Sequence, residues 1–362
     1  MGPPKEAGGS DCETPLLADD DAATDKKDAT EESAQEEPVY LRGVISIFLF
    51  PALGGLLYGY DIGATSMVLV DLVKARASGV VWYHAVADSP FLQGLIASTS
   101  TWGAALGSLC CLRLEAELGR RRELLVAGTL YFLGLTLEWL SGVSSWSGEL
   151  GLSVLLIGRV LYGIAIGFAM HGAPAYIAEM APPSYRGLLV SLKEAFIVLG
   201  MLLGYTSGMI FNYSVGGWRY TYAVALPIAV AMSIGIYLLP PSARWLCLRG
   251  RLDDAKASLA FVLPPRSAKA AYADIMKVAN ARTGSTAGAA ATGVEAPAPA
   301  GGAAVPVEKP SGGFEIHWER LREPACARAL RIGIGLVALQ QFTGQPSVLY
   351  YVDTLFTEVL MR

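Results

Sequence analysis

Long apolar segments dominate this sequence and constrain its fold more than any other feature. Windows of about 20 apolar residues, enough for a helix to cross a bilayer, lie at 43–65, 92–113, 123–144, 152–174, 188–211, 218–239 and 329–357. Hydrophobic residues make up 53% of the chain and charged residues 17%, whereas charged residues are about 25% of a soluble domain. The sequence therefore predicts an all-α membrane protein that crosses the bilayer several times.

The polar stretches between these spans divide the chain into five predicted parts. Residues 1–40 form an acidic tail, and residues 41–240 hold six spans that we expect to form one transmembrane bundle. Residues 241–278 are predicted to form cytoplasmic interfacial helices. The Ala, Gly and Pro content of residues 279–313 is typical of a disordered linker. Residues 314–362, with the seventh span, would begin a second bundle.

Basic residues predict the orientation of the chain. They concentrate after the second, fourth and sixth spans, at Arg113, Arg120, Arg121, Arg122, Arg186, Arg244, Arg249, Arg251 and Lys256. The positive-inside rule places these loops and the N-terminus in the cytoplasm. The tail has too many acids for a transit peptide. Its Leu16 and Leu17, behind Glu13, resemble an acidic dileucine signal, which favours a vacuolar or other endomembrane over the plasma membrane and plastid; an ordinary solvated tail is the alternative.

Several classes of function are excluded or disfavoured by composition. The net charge of −4 gives no basic surface for nucleic acid. The five cysteines and three histidines show no paired metal-ligand spacing, so neither a metal site nor a disulfide framework is expected. We find no set of nucleophile, base and orienting group, and therefore do not expect an enzyme. A seven-span receptor would need an outside N-terminus, and an opsin would need a lysine in the seventh span.

Two charged residues lie inside apolar spans. Arg159 is in the fourth span, and Asp61 is near the end of the first. A guanidinium in hydrocarbon costs at least about 2.5–3.5 kcal/mol, so it persists where it faces a cavity or a counter-charge. We therefore expect Asp61 and Arg159 to meet across a helix pair and to face a shared aqueous vestibule. Such a pair is typical of an ion or substrate path.

Six segments resemble the sugar porter family of the major facilitator superfamily. They are GYDIGATS at 59–66, LGRRREL at 118–124, GRVLYGIAIG at 158–167, PAYIAEMAPPSYRG at 174–187, PPSARWL at 240–246 and QQFTGQPSVLYY at 340–351. The nearest likeness is to vacuolar or plastid hexose carriers and xylose/proton symporter-like proteins of plants and algae. This resemblance implies a major facilitator fold and secondary transport of a monosaccharide by alternating access. The proton would be the coupling ion, with no other cofactor.

The resemblance implies two charged sites. Asp61 would take up and release the proton, because pairing with Arg159 favours its carboxylate and desolvation after separation favours its protonated form; a static pair is the alternative. A cytoplasmic latch would comprise Gly119, Arg120, Arg121, Glu179, Arg186 and Arg244. The alternative is that these arginines only fix topology. The family's acid before the glycine is replaced by Ala116. Glu115 or Glu117 could substitute for it, although neither has the same helix-face angle.

The resemblance also implies a sugar site. Its expected residues are Tyr58, Glu194, Gln340, Gln341 and Gln345, with Gln341 and Gln345 one helical turn apart on one face. We interpret Lys193 as an interfacial cation, and Tyr350 and Tyr351 mainly as packing residues. Four glycines in the spans are interpreted as close helix contacts, namely Gly163, Gly167, Gly200 and Gly204.

The chain carries the seventh span but no further span. Because sugar porters have two six-span bundles, the sequence suggests a truncated gene model, splice fragment or partial transcript. The competing functional hypothesis is a non-transporting sugar sensor or regulatory half-carrier.

Overall fold

The computed structural model describes residues 40–143, 148–288 and 324–352, and every regular element in these ranges is a helix. The helices are α1 Leu41–Val73, α2 Ala75–Ser78, α3 Tyr83–Ala87, α4 Pro90–Leu140, α5 Gly148–Met180, α6 Pro183–Phe211, α7 Trp218–Leu238, α8 Ala243–Leu248, α9 Leu252–Ala260, α10 Pro265–Gly288, α11 Pro324–Phe342 and α12 Gln345–Tyr350.

Six helical segments of the described chain are long and apolar enough to cross a membrane. They are α1, the two arms of α4 at Pro90–Glu115 and Glu117–Leu140, α5 from Glu149, α6 and α7. These segments correspond to the first six spans of the sequence analysis, which confirms the predicted all-α membrane fold. Of the predicted tail, residues 1–39 lie outside the described residues.

Gly119 separates the two arms of α4. Its backbone has φ 71° and ψ 158°, a conformation that glycine adopts without the steric cost that other residues meet. The indole of Trp245, from α8, lies directly against it, so that a Cβ at Gly119 would be 2.7 Å from Trp245 Cε2. The sequence therefore needs glycine here both for the turn and for the space.

Close helix contacts hold the bundle together. Helix α4 packs along α5, and α1 packs along α6. A Cβ at Gly163 would lie 2.1 Å from the Ser100 carbonyl oxygen, and one at Gly200 would lie 2.0 Å from the Leu56 carbonyl oxygen. Gly167 and Gly204 are similarly crowded by neighbouring backbone. The prediction that these four glycines make close helix contacts is confirmed.

The segment after α7 packs against the start of α1. The Tyr40 backbone N–H donates to the Val262 carbonyl at 3.1 Å, so α9 and α1 meet at one end of the bundle. Leu246, Cys247 and Ala255 form a small separate core between α8 and α9. Helix α10 continues beyond residue 278 into the range predicted as linker, while residues 289–313 lie outside the described residues.

The seventh predicted span differs from the other six. Its chain forms two helices, α11 and α12, separated at Gly344, which has φ 70°. Neither is among the membrane-spanning candidates of the described chain. Apolar side chains of α11 are largely exposed, for example Leu336 at 63% and Leu339 at 64%. Residues 353–357 of the predicted span lie outside the described residues.

Candidate functional site

The structure brings Asp61 of α1 and Arg159 of α5 into direct contact. Arg159 Nη1 donates to Asp61 Oδ1 at 3.2 Å, and Arg159 Nη2 donates to Asp61 Oδ2 at 3.4 Å. The geometry is the two-pronged arrangement that suits a planar guanidinium and a carboxylate. We refer to these two residues as the buried pair.

Three hydroxyls and one carbonyl complete the surroundings of the buried pair. Arg159 donates to Thr65 Oγ1 at 2.9 Å, to the Tyr222 hydroxyl at 3.0 Å and to Ser100 Oγ at 3.1 Å. Its Nε donates to the Ile96 carbonyl at 2.6 Å. Thr65 and Ser100 also donate to the two oxygens of Asp61, at 3.2 and 2.9 Å. Four helices, α1, α4, α5 and α7, thus converge on one ion pair.

The buried pair is enclosed by protein. The side chains of Arg159 and Asp61 are 0% and 1% exposed. Neither faces lipid, and neither opens onto the aqueous vestibule expected from the sequence. Burying both charges is costly unless their hydrogen bonds are satisfied, and removing one partner of such a pair typically costs about 3–5 kcal/mol. In this conformation, therefore, the site is occluded and fully hydrogen-bonded.

Two residues that sequence reasoning did not assign to this site lie beside it. Glu138, in the second arm of α4, is completely buried and interacts electrostatically with Arg159. The Tyr350 side chain of α12 interacts with Ser100 and, electrostatically, with Asp61 and Arg159. In the same segment, the Leu349 carbonyl accepts a hydrogen bond from the Tyr205 hydroxyl at 2.8 Å. The sequence does carry a signal for Glu138, because it is an acidic residue within the third apolar span.

Tyr58 and Glu194, both expected in the sugar site, interact electrostatically but share no hydrogen bond among the described residues. Tyr58 is partly buried and interacts electrostatically with both Glu194 and Asp61. Glu194 is 67% exposed and pairs with Lys193, whose Nζ is 2.7 Å from Glu194 Oε1. Lys193 itself is buried on α6 against Gly55 of α1. The interpretation of Lys193 as an interfacial cation is therefore wrong.

The three glutamines of the seventh span do not line one helical face. The break at Gly344 places Gln340 and Gln341 on α11 and Gln345 on α12, so the one-turn spacing of Gln341 and Gln345 does not apply. Gln340 Nε2 instead donates to Gln345 Oε1 at 3.1 Å. All three side chains are exposed, and Tyr350 is the residue of this segment that reaches the buried pair.

A second charged cluster surrounds Arg120 at the end of the bundle nearest α8. Its Nε lies 3.5 Å from Glu179 Oε1 and its Nη1 lies 3.6 Å from Glu123 Oε2. Arg120 also pairs with Glu115, one of the two acids that the sequence offered in place of the missing family acid. His171 Nδ1 is 2.6 Å from Glu123 Oε1. These five residues are called the Arg120 cluster.

The other members of the predicted latch lie apart from the Arg120 cluster. Arg121 donates to the Ile236 carbonyl at 3.3 Å, and its guanidinium lies over the Tyr237 ring, so it caps the end of α7. Arg186 donates to the Ala181 carbonyl at 3.5 Å and does not pair with Glu179, contrary to the sequence interpretation. Arg244 is exposed. Within the described ranges, no ion pair joins Arg186 or Arg244 to an acid.

Three potential metal ligands meet at the edge of the Arg120 cluster. Cys111, Glu123 and His171 each place one ligand atom within 4.8 Å of the others. The Glu123 carboxylate already lies 3.6 Å from Arg120 Nη1 and shares a hydrogen bond with His171. The expectation of no metal stays a prediction.

Comparison with known proteins identifies relatives of this arrangement. A family model described as sugar (and other) transporter matches residues 47–362. Two proteins of Arabidopsis thaliana, D-xylose-proton symporter-like 3, chloroplastic and D-xylose-proton symporter-like 2, are each 41% identical to this chain. The matches cover 86% and 85% of this chain but 52% and 56% of those proteins. The chain thus spans about half the length of the curated relatives it matches.

Solved structures give the same picture of the fold. A proton:xylose symporter, XylE, bound to 6-bromo-6-deoxy-D-glucose is 28% identical with a TM-score of 0.57, over 64% of this chain and 52% of that one. A partially occluded, inward-open form of the xylose transporter XylE from E. coli has a TM-score of 0.64 at 24% identity, over 87% of this chain and 67% of that one.

Proposed function

This chain belongs to the sugar (and other) transporter family, and from that premise we propose that it carries a monosaccharide, a hexose or pentose, across a membrane together with a proton. The names of its relatives and structural neighbours include xylose and protons, which supports this substrate class and this coupling ion. The protein is an integral membrane protein, and transport rather than chemical conversion is its activity.

The buried pair is the single observation that carries the proposal of proton coupling. Asp61 is held as a carboxylate by Arg159, Ser100 and Thr65. Protonation would remove the charge that holds Arg159, and the contacts that tie α1 to α4 and α5 would weaken. Because one proton changes the bonding of several helices at once, proton uptake at Asp61 would favour a second arrangement of the bundle.

Polar groups near the buried pair would form part of the sugar path. Tyr58 interacts electrostatically with both Asp61 and Glu194, and the exposed carboxylate of Glu194 is available to accept hydrogen bonds from sugar hydroxyls. Gln340, Gln341 and Gln345 would supply further amides when α11 and α12 face the same cavity. A sugar bound next to Tyr58 would thus sense the charge state of Asp61.

The Arg120 cluster would act as the latch of the alternating-access cycle. It joins both arms of α4 to α5, through Glu115, Glu123 and Glu179, and Glu179 also accepts a hydrogen bond from Ser242 ahead of α8. The pairs with Glu115 and Glu179 are partly exposed, and ion pairs of this kind form and break at small cost. We place this end of the bundle, and the N-terminus, in the cytoplasm on the basis of the basic loops, and we favour a vacuolar or other endomembrane.

Uptake by reconstituted protein tests the proposal. Purified protein in liposomes would be given radiolabelled xylose or glucose, with and without an inward proton gradient. We expect accumulation that requires the gradient and stops when a protonophore collapses it. Absence of uptake, or uptake indifferent to the gradient, would count against proton-coupled transport. Sugar binding without any uptake would favour a sensor.

A further inference from the structure

Glu138 is a buried acid without a hydrogen-bond partner. Its side chain is 0% exposed, and neither carboxyl oxygen has a partner among the residues that the structure describes. The nearby Ser141 hydroxyl is used elsewhere, since it donates to the Glu138 backbone carbonyl at 2.6 Å. The Glu138 side chain packs on Gly158, where an added Cβ would lie 3.0 Å from Glu138 Cγ.

The groups that face Glu138 come from three other helices. Arg159 of α5 is the cation whose field reaches it, and Asp61 of α1 is a competing carboxylate. The hydroxyls of Tyr162 of α5 and Tyr222 of α7 also interact electrostatically with Glu138. Tyr162 and Tyr222 are themselves committed to the Leu57 carbonyl and to Arg159 respectively. One cation thus interacts with two buried carboxyl groups.

Charge balance decides the state of these two acids. A buried carboxylate without hydrogen bonds is strongly disfavoured, and such a group usually takes up a proton instead. Asp61 accepts hydrogen bonds from Arg159, Ser100 and Thr65, whereas Glu138 accepts none from the described residues. In this conformation Asp61 is therefore the charged acid and Glu138 the neutral one, which gives the three groups a net charge of zero.

We propose that Glu138 is the alternate counter-ion of Arg159 and a second proton-carrying group. When Asp61 takes a proton, Glu138 releases one, and its new carboxylate compensates Arg159. The proton count balances, because one O–H bond forms on Asp61 with a proton taken from water and one O–H bond breaks on Glu138 with its proton returned to water. This inference rests on the proposed function, since it assumes that Asp61 is protonated during the cycle.

Such an exchange solves a physical difficulty of a two-residue mechanism. Arg159 does not lose its proton in a protein, and it is completely buried. Protonation of Asp61 alone would leave its charge uncompensated, a strongly disfavoured state. With Glu138 as the second acid, the guanidinium has one carboxylate partner in each state.

Infrared spectroscopy of the protein tests the proposal directly. A protonated carboxyl has a C=O stretch separate from that of a carboxylate, and this band shifts in heavy water. We expect wild-type protein at neutral pH to show such a band, Glu138→Gln to lose it, and Glu194→Gln, a matched change at an exposed acid, to keep it. In Asp61→Asn the band should disappear, because Glu138 becomes the carboxylate that pairs with Arg159.

Two results would overturn the proposal. One is the absence of any wild-type band that depends on Glu138, which would mean that Glu138 is ionised. The other is a Glu138 band that persists in Asp61→Asn, which would make Glu138 a permanently neutral packing residue. Whether the band is lost between wild type and Asp61→Asn can be measured without Glu138→Gln, so this test still decides if Glu138→Gln does not fold.

Thermal unfolding gives an independent readout. If Glu138 replaces Asp61 as counter-ion, Asp61→Asn combined with Glu138→Gln should lower the unfolding temperature by more than the sum of the two single shifts, because Arg159 then has no carboxylate. Additive shifts would contradict the proposal. Neither readout requires transport, so failed proton-driven uptake with an intact Glu138 response would reject the proposed function and leave the charge exchange standing.

Discussion

The buried pair and the Arg120 cluster use the same chemistry in different surroundings. Arg159 is 0% exposed and has one ion-pair partner, with its remaining donors fixed by hydroxyls and a carbonyl. Arg120 is 15% exposed and shares three acids, Glu115, Glu123 and Glu179. The comparison teaches that a single buried partner makes a site sensitive to one proton, whereas three partners, two of them partly exposed, make a latch that tolerates the loss of Glu115 or Glu179.

The largest expected effect comes from breaking the buried pair. Arg159→Met removes the cation and leaves Asp61, Ser100 and the Ile96 carbonyl without their donor, so we expect a loss of about 3–5 kcal/mol of stability. Thermal unfolding in detergent measures it. As a control, Arg159→Met combined with Asp61→Asn leaves no buried charge and should recover part of the loss. An Arg159→Met protein as stable as wild type would show that the pair is not structurally coupled.

A smaller loss of stability is expected from disturbing the helix packing that positions the buried pair. Gly163→Ala would bring a Cβ to 2.1 Å from the Ser100 carbonyl, and overpacking of this kind costs about 1–3 kcal/mol. Gly187→Ala is the matched control, since nothing lies within 4 Å of its added Cβ and alanine is the better helix former by about 1 kcal/mol. Equal unfolding temperatures for the two variants would contradict the close-packing account.

Single changes in the Arg120 cluster should have little effect on stability. Glu115→Gln and Glu179→Gln each remove one partly exposed partner, so we expect each to cost less than about 1 kcal/mol. The double variant should cost more than the sum of the two, because Arg120 then keeps only Glu123. Chemical or thermal unfolding of the three variants is the measurement. A large loss from either single change would show that the cluster is not redundant.

The smallest effect concerns the reactivity of the Cys247 thiol, which lies in the small core between α8 and α9. Burial raises the pKa of the Cys247 thiol, so at neutral pH less of it is the reactive thiolate. We expect Cys247 to react with a maleimide more slowly than the exposed Cys326, and its rate to increase as the pH rises. Mass spectrometry of the labelled protein gives both rates. Faster labelling of Cys247 would indicate that the small core around it opens.

The sequence predicted the six-span bundle and the meeting of Asp61 with Arg159 because both follow from simple energetic costs. Apolar length requires a membrane, and two opposite charges in apolar spans require each other. The same argument applied to Glu138 would have marked it as a site residue, since it also lies in an apolar span. Its role depends on which acid receives hydrogen bonds, and only the packed structure determines that.

Other features depend on local geometry that residue spacing does not specify. The break at Gly344 separates Gln341 from Gln345, and it follows from a single positive φ angle. Glu115 reaches Arg120 across the break at Gly119, a contact that the helix-face angle of Glu115 does not specify. Lys193 is buried because α6 lies close to α1 at Gly55, a proximity that no pattern within α6 predicts.

Transport by Asp61→Asn tests the central claim most directly. In liposomes, sugar exchange and proton-driven accumulation would be measured side by side in wild type and in this variant. The account predicts that the variant exchanges sugar across the membrane but no longer accumulates it against a gradient. Undiminished accumulation by Asp61→Asn would contradict the role of the buried pair in proton coupling.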